Sequence, residues 1–290
     1  MTTPTYYKAL NWAFLLLKGK KLDDYGAEYV LLERQDWRKT DLSFHEREPM
    51  PPAVWQRFQQ DVQALLTGEP AQYLLGHAWF AGLKLQVTPA TLIPRQETEE
   101  LVAWAGDFAE RFQQPRILDL GTGSGAIALA LQQRFPQAEI WASDLSTEAL
   151  RVAQANGQRW QLPVNFVQGD LFAAVAQQPA FDVIISNPPY ISHHEENVMD
   201  YSVKHFEPAL ALYAENDGLA LYQRIAADVS AHLTAPGALF LEFGYQQAPA
   251  IQQLFEAIQP ARPVVIRRDL AGWPRMAQIG PQASMSPRLK

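Results

Sequence analysis

No cysteine occurs anywhere in the 290 residues. A disulfide framework is therefore excluded, and so is any zinc or iron–sulfur site held by thiolates. Long apolar runs are missing as well. Trp12 to Leu17 is apolar, but Lys18-Gly19-Lys20-Lys21 follows at once, and a bilayer-spanning helix needs about 20 such residues. The run reads as part of a buried helix face, with the lysines on a solvated turn. Met1 to Ala13 lacks the basic start, apolar core and small-residue cleavage site of a leader. An excess of positive charge is also absent: 24 Lys and Arg face 31 Asp and Glu, a formal net charge of -7. Non-specific nucleic-acid binders carry the opposite balance, because phosphate contacts need Lys and Arg. The expectation is a cytoplasmic protein with no membrane attachment and no direct nucleic-acid contact.

What is present suits an ordinary globular protein. Hydrophobic residues make up 48% and charged residues 19%, and the length accommodates two domains. Residues 1–72 read as a small helical bundle. Leu10, Phe14 and Leu17 recur at helical spacing, Tyr25, Tyr29 and Leu32 repeat it, and Val54, Phe58, Val62 and Leu65 mark a third helix behind Pro51-Pro52. Residues 73–93 read as a β-hairpin or extended linker, since Phe80 to Val87 ends in strand-like alternation. Residues 94–280 form the second domain. It opens with a helix carrying Leu101, Trp104, Phe108 and Phe112, and then strands and helices alternate. Strands are expected at 116–120, 139–143, 164–167, 181–186 and 238–242, with two closing strands at 264–266 and 275–279. Helices are expected at 126–135, 148–156 and 218–232. Such alternation implies an α/β fold, a mostly parallel sheet covered on both faces. The tail, 281–290, is expected to be disordered.

The first strand runs into Asp119-Leu-Gly-Thr-Gly-Ser-Gly125. Glycines at 121, 123 and 125 let the backbone turn tightly and approach a ligand. About 20 residues on, Asp144 ends the second strand, where a carboxylate can accept hydrogen bonds from both hydroxyls of a ribose. The Gly-x-Gly-x-x-Ala form also fits a dinucleotide fingerprint. The alternating glycines behind an acidic residue favour S-adenosyl-L-methionine, with S-adenosyl-L-homocysteine as product. Thr122 and Ser124 belong to this turn. Asp170 and Leu171, after the third strand, supply an adenine-side edge, although Asp170 is equally readable as a turn-forming residue.

Asn187-Pro188-Pro189-Tyr190 follows the fourth strand, at the same sheet edge as the glycine turn. Two consecutive prolines hold the backbone extended and nearly rigid. A planar NH2 group is a poor nucleophile because its lone pair is delocalised. The Asn187 side-chain oxygen and the Pro188 carbonyl can each accept one of its N–H bonds, aiming the nitrogen at the methyl donor, while Tyr190 stacks on the flat group. Orientation and electrostatic help as charge builds on nitrogen then carry the reaction.

These features together resemble the HemK/PrmC-type peptide chain release factor glutamine methyltransferases. The resemblance runs through Glu69-Pro-Ala-Gln-Tyr-Leu-Leu-Gly76, Thr88-Pro-Ala-Thr-Leu-Ile-Pro-Arg95, Glu97-Thr-Glu99, Ile117 to Ala128, Asn187 to Ile191, Phe206-Glu-Pro208, Asp217-Gly-Leu219, Leu241-Glu-Phe-Gly244 and Asp269-Leu-Ala-Gly272. It implies a Rossmann-like class I methyltransferase domain, with a seven-stranded sheet and a closing antiparallel hairpin, behind a helical substrate-recognition domain. The implied substrate is the glutamine of the Gly-Gly-Gln loop in class I release factors, methylated on its side-chain amide nitrogen; separately, a monomer is expected. The resemblance also implies that Gly121 to Gly125, Asp144 and Asn187 contact the methyl donor and that Asn187 to Tyr190 hold the glutamine. Arg95 and Glu97 belong to a substrate or cofactor loop. Two positions depart from the family pattern. Leu171 stands where some members place an aromatic beside the adenine, a place Phe172 can take, and Gln96 replaces a proline.

Other readings differ in substrate. A ribosomal-protein glutamine methyltransferase is a close relative, but the block Arg95-Gln-Glu-Thr-Glu99 resembles the release-factor branch. A nucleic-acid amino-methyltransferase shares Asn-Pro-Pro-Tyr but calls for a basic face. A non-catalytic relative of the fold would have no need of Gly121, Gly123, Gly125, Asp144 and Asn187 together. His193-His194-Glu195-Glu196 is read as a solvated loop, because adjacent ligands do not converge on one ion; no metal is expected. Trp79-Phe80 is read as linker packing.

Overall fold

The computed structural model describes residues 3–281, so the tail beyond them lies outside the described residues. The chain forms two compact units, Met1–His77 with Met199–Glu207, and Ala78–Val198 with Pro208–Lys290.

The first unit contains α1 (Tyr6–Gly19), α2 (Gly26–Gln35), α3 (Lys39–His45), α4 (Pro52–Leu65) and α5 (Ala71–Leu75). The hydroxyl of Thr5 caps α1 by accepting from the Lys8 N–H. The buried stripe of α1 is Tyr6, Ala9, Ala13 and Leu17. Phe14, Leu15 and Leu16 are instead exposed, which corrects the expected stripe and the expectation of a buried Trp12–Leu17 face. Six consecutive residues wind through more than a full turn, so one helix face cannot hide them all, and alanine occupies the inward positions. Tyr25, expected on a buried stripe, is 74% exposed, and Ala27, Val30 and Leu31 carry the contacts of α2. Phe58, Val62 and Leu65 of α4 are buried as their spacing predicts. Asp61 is buried beside them and pairs with Arg34 at 3.2 Å and Arg57 at 3.3 Å. Helix α5 lies in a stretch where the sequence suggested hairpin or linker. Pro70 precedes it, and Gly76 ends it in the left-handed conformation.

The second unit begins within a hairpin of strands β1 (His77–Phe80), whose first residue is counted with the first unit, and β2 (Leu83–Gln86). Then follow α6 (Gln96–Ala109), β3 (Arg116–Leu120), α7 (Ala126–Arg134), β4 (Glu139–Asp144), α8 (Thr147–Trp160), β5 (Asn165–Gln168) and β6 (Phe181–Ser186). Helix α9 (Tyr201–Phe206) belongs to the stretch that returns to the helical unit. After it come α10 (Ala220–His232), β7 (Leu233–Glu242), α11 (Ala248–Ile258), β8 (Val264–Arg268) and β9 (Pro274–Ile279). The sheet has seven strands in the order β5-β4-β3-β6-β7-β9-β8. Its first five are parallel, and β9 runs antiparallel to both β7 and β8.

Near-continuous apolar runs such as Val183-Ile-Ile185 suit strands covered on both faces. One core layer joins α6 and α7 to the sheet through Leu101, Phe108, Leu129 and Phe240. The other joins α10 and α11 through Tyr222, Ile225, Ile251 and Phe255. Chain order reverses between β3 and β6. A crevice opens beyond the carboxyl ends of the strands at such a switch point.

Candidate active site

A cavity of about 460 Å³ opens at this switch point, within the range of small-molecule sites. Its floor is the glycine turn. Gly121, Gly123 and Gly125 adopt φ of 75°, 56° and 83°, values that side chains tolerate poorly. The amides of Gly121 and Thr122 both donate to the Ser143 carbonyl at 2.9 Å, fixing the turn against the end of β4. Gly125 does not line the cavity. It precedes α7, where an added Cβ would press on Ala153 and Leu129 at 3.2 Å, so its role is close helix packing.

Asp144 lies on the cavity wall. Its Oδ2 accepts from the Gly123 N–H and its Oδ1 from the Ser146 N–H, each at 2.8 Å. Burial pushes its carboxyl above the usual range, opposed by these backbone bonds. Asp119, one strand away, is fully buried. It accepts from the Thr122 hydroxyl at 2.6 Å and the Ala128 N–H at 3.2 Å. Burial moves it up to about 7, opposed by these two hydrogen bonds, and its Oδ1 has no hydrogen-bond partner.

Asp170 and Leu171 both line the cavity. Asp170 pairs with Arg224 of α10 at 2.8 Å. Phe172 does not replace Leu171 there. It is buried in the core and stacks on His232 at 4.6 Å, because the left-handed backbone at Leu171 (φ 49°) starts a short 3-10 turn.

Asn187, Pro188 and Pro189 line the same cavity. The Asn187 Nδ2 donates to the Thr98 hydroxyl at 3.2 Å, and that hydroxyl donates to Glu242 at 2.7 Å. Tyr190 is not among the lining residues. Its ring packs on the core layer of α10 and α11, and burial raises its hydroxyl to about 12. Arg95 precedes α6 and Glu97 lies in its first turn; neither lines the cavity. Both act electrostatically on Tyr190 and on Glu242, whose carboxyl burial raises to about 7.

Several cavity residues escaped sequence reasoning. Pro89, Ala90, Thr91, Leu92 and Pro94 form part of the wall; they lie in the block Thr88 to Arg95 that resembles the family, of which only Arg95 has an expected site role. Thr98 and Arg224 lie on helices and reach the site from distant parts of the chain. His193 stacks on Tyr213 at 4.8 Å. Among the described residues, no cluster of three or more His, Asp or Glu is arranged to hold a metal, and no helix is long and apolar enough to cross a membrane.

Comparison with known proteins narrows the chemistry. Residues 105–211 match the methyltransferase small domain, and residues 8–76 match the PrmC N-terminal domain. A release factor glutamine methyltransferase from Enterococcus faecalis is 43% identical over 272 residues, spanning 94% of this chain and 98% of that protein. The chain belongs to the release factor glutamine methyltransferase family. A second member, from Bordetella pertussis, is 42% identical, covering 87% of this chain and 91% of its own. Among solved structures, a ribosomal protein L11 methylase from Lactobacillus delbrueckii subsp. bulgaricus aligns with a TM-score of 0.50 at 19% identity, over 69% of this chain and 86% of that one. A methyltransferase from Pyrococcus furiosus also gives 0.50 at 19% identity, over 77% and 97%. These likenesses concern the fold alone: a class I methyltransferase sheet with its antiparallel closing hairpin. The family membership accounts for both matched segments in one chain.

Proposed function

We propose that this methyltransferase transfers the methyl group of S-adenosylmethionine to the side-chain amide nitrogen of the glutamine in the Gly-Gly-Gln loop of class I release factors. The observation that carries the reading is the placement of Asn187. It lines the cavity floored by the glycine turn, and its Nδ2 donates to the Thr98 hydroxyl. The carbonyl end is then what Asn187 offers to an incoming NH2.

The residues present fit the methyl donor. Gly121 and Gly123 allow close backbone approach, Asp144 retains lone pairs for ribose hydroxyls, and Leu171 gives an apolar edge for the adenine. Bound there, S-adenosylmethionine supplies an electrophilic methyl on a sulfonium. Asn187 and the Pro188 carbonyl each accept one N–H of the glutamine amide and hold its nitrogen in line. No strong base is needed, because the methylated nitrogen sheds its proton readily. Tyr190 acts here from below the site, bracing the strap that carries Asn187. The helical unit serves to recognise the folded substrate protein.

The test is mass spectrometry of a purified class I release factor after incubation with this protein and S-adenosylmethionine. One added methyl on the Gly-Gly-Gln glutamine is expected. An untouched release factor alongside methylated ribosomal protein or nucleic acid would overturn the assignment.

A further inference from the structure

Three side chains from separate parts of the chain meet behind Asn187. Strands β6 and β7 are paired so that Ser186 stands opposite Leu241, which brings the next residues, Asn187 and Glu242, to the same level of the sheet. Thr98, in the first turn of α6, sits between them. It is 5% exposed and Glu242 is 2% exposed. The contacts run in one direction: Asn187 Nδ2 to Thr98 Oγ1 at 3.2 Å, then Thr98 Oγ1 to Glu242 Oε2 at 2.7 Å.

A threonine hydroxyl has one proton and two lone pairs. Once a carboxylate takes that proton, the lone pairs accept only from a donor. Asn187 must then turn its NH2 toward Thr98 and its carbonyl toward the cavity. The opposite amide orientation would set two acceptors against each other at Thr98 and point N–H donors at a substrate that also brings N–H donors. We infer that Thr98 and Glu242 form a polarity relay that fixes which end of the Asn187 amide faces the substrate. Thr98 and Glu242 are positioning residues here, acting through Asn187, and the inference rests on the proposed role of Asn187.

The surroundings of Glu242 add a consequence. Burial raises its carboxyl to about 7, Thr98 and the charges of Arg275 and Arg95 pull it down, and Glu97 pushes it up. Tyr190 and Tyr222 also face it, and the Tyr222 hydroxyl donates to the Glu242 backbone carbonyl at 2.6 Å. A protonated Glu242 can donate to Thr98, which frees the threonine proton to turn toward Asn187 and removes the bias. Turnover therefore falls as pH drops through about 7.

The experiment measures kcat at saturating S-adenosylmethionine on a release factor, between pH 6 and 8.5 (roughly one unit or more either side of the Glu242 value). The enzymes are wild type, Thr98→Val, Thr98→Ser and Asn187→Ala. Valine keeps the shape of threonine and removes the hydroxyl. Thr98→Val is expected to lose about 10- to 100-fold in kcat, with no fall toward pH 6. Thr98→Ser is expected to recover both rate and pH dependence. If Thr98→Val unfolds, Glu242→Gln carries the test: it retains an acceptor without titrating, so its kcat should be flat over this range. Wild-type kcat in Thr98→Val, or an acid limb surviving in Glu242→Gln, would overturn the relay. A fully active Asn187→Ala would instead sink the underlying role of Asn187, so the two failures are separable.

Discussion

The Gln247 side-chain amide donates to the Tyr190 carbonyl at 2.9 Å. The same nitrogen donates to the Asp217 carbonyl at 3.1 Å, and Gln247 Oε1 accepts from the Gly244 N–H at 2.9 Å. One side chain thus ties together the loops that follow β6 and β7 and the turn that leads into α10. Gly218 completes the arrangement. Its φ is 81°, and a Cβ there would collide with the Tyr190 carbonyl. The backbone of the Asn-Pro-Pro-Tyr strap is therefore held from behind by a glutamine and a glycine more than 25 residues apart in the chain.

Gln247→Glu tests this clip with almost no change in size. A carboxylate cannot donate, so it would face two carbonyl oxygens it repels. The strap should loosen by a fraction of an ångström, and misplacement on the scale of 1 Å can cost about 100-fold in rate. Gln247 is not part of the cavity wall. The expected outcome is a kcat about 10- to 100-fold lower with unchanged S-adenosylmethionine affinity, read by steady-state kinetics and calorimetric titration. An equal loss of affinity would show that the clip supports the whole site and not the strap alone.

Gln247 also marks where reading the sequence stops. The glycine turn, Asp144 and Asn187-Pro-Pro-Tyr190 were legible because each is a local pattern at a strand end, and β/α alternation puts strand ends on one edge. Thr98 and Glu242 lie inside blocks that resemble the family, Glu97-Thr-Glu99 and Leu241-Glu-Phe-Gly244, but nothing local gives either a role, and Gln247 carries no signature at all. A threonine in a first helical turn or a glutamine before a helix is ordinary in sequence, and only strand register and helix packing bring it to the strap. The stretch 88–94 stood out only as part of a family block, since irregular backbone has no period that would show it lining a cavity. In the helical unit the error ran the other way. Apolar periodicity favoured Phe14 and Tyr25, but tight helix contact selected Ala9, Ala13 and Ala27, whose small size makes them weak hydrophobic signals.

Asn156 gives a stability prediction of the same kind. It is fully buried on α8. Its Oδ1 accepts from the Gln86 N–H at 2.7 Å, and its Nδ2 donates to the Gln86 carbonyl at 3.0 Å and the Ser124 carbonyl at 2.9 Å. It thereby joins the β1–β2 hairpin to the glycine turn. Asn156→Asp preserves the shape and removes both donors, leaving the buried Ser124 carbonyl and the partly buried Gln86 carbonyl unpaired beside a buried acid. Each such group costs about 1–3 kcal/mol, so a loss of about 3 kcal/mol or more is expected in urea unfolding, together with weaker S-adenosylmethionine binding. A change under about 0.5 kcal/mol, the level of an ordinary surface substitution, would refute the clamp.

Asp119 sets a pH dependence whose sign follows from its raised pKa. The folded carboxyl titrates near 7, against 3.8 for a freely solvated aspartate. Below the lower value it is neutral in both states, and its neutral form is what the buried site accommodates. As pH climbs from about 4 to about 7, the unfolded chain gives up the proton while the folded chain keeps it. Stability is then lost at up to about 1.4 kcal/mol per pH unit. Asp119→Asn cannot ionise, so it escapes this loss, although its NH2 would occupy the place where Oδ1 finds no partner. Glu242 titrates alike in both proteins and drops out of their difference. Unfolding free energies measured at pH 5 and pH 8 should therefore shift by about 2–3 kcal/mol in favour of the variant between the two conditions. A wild-type-to-variant difference that stays constant across that interval would mean that Asp119 is ionised in the folded protein. The charge would then have to be stabilised by the Thr122 hydroxyl and the Ala128 N–H, the two donors that reach it.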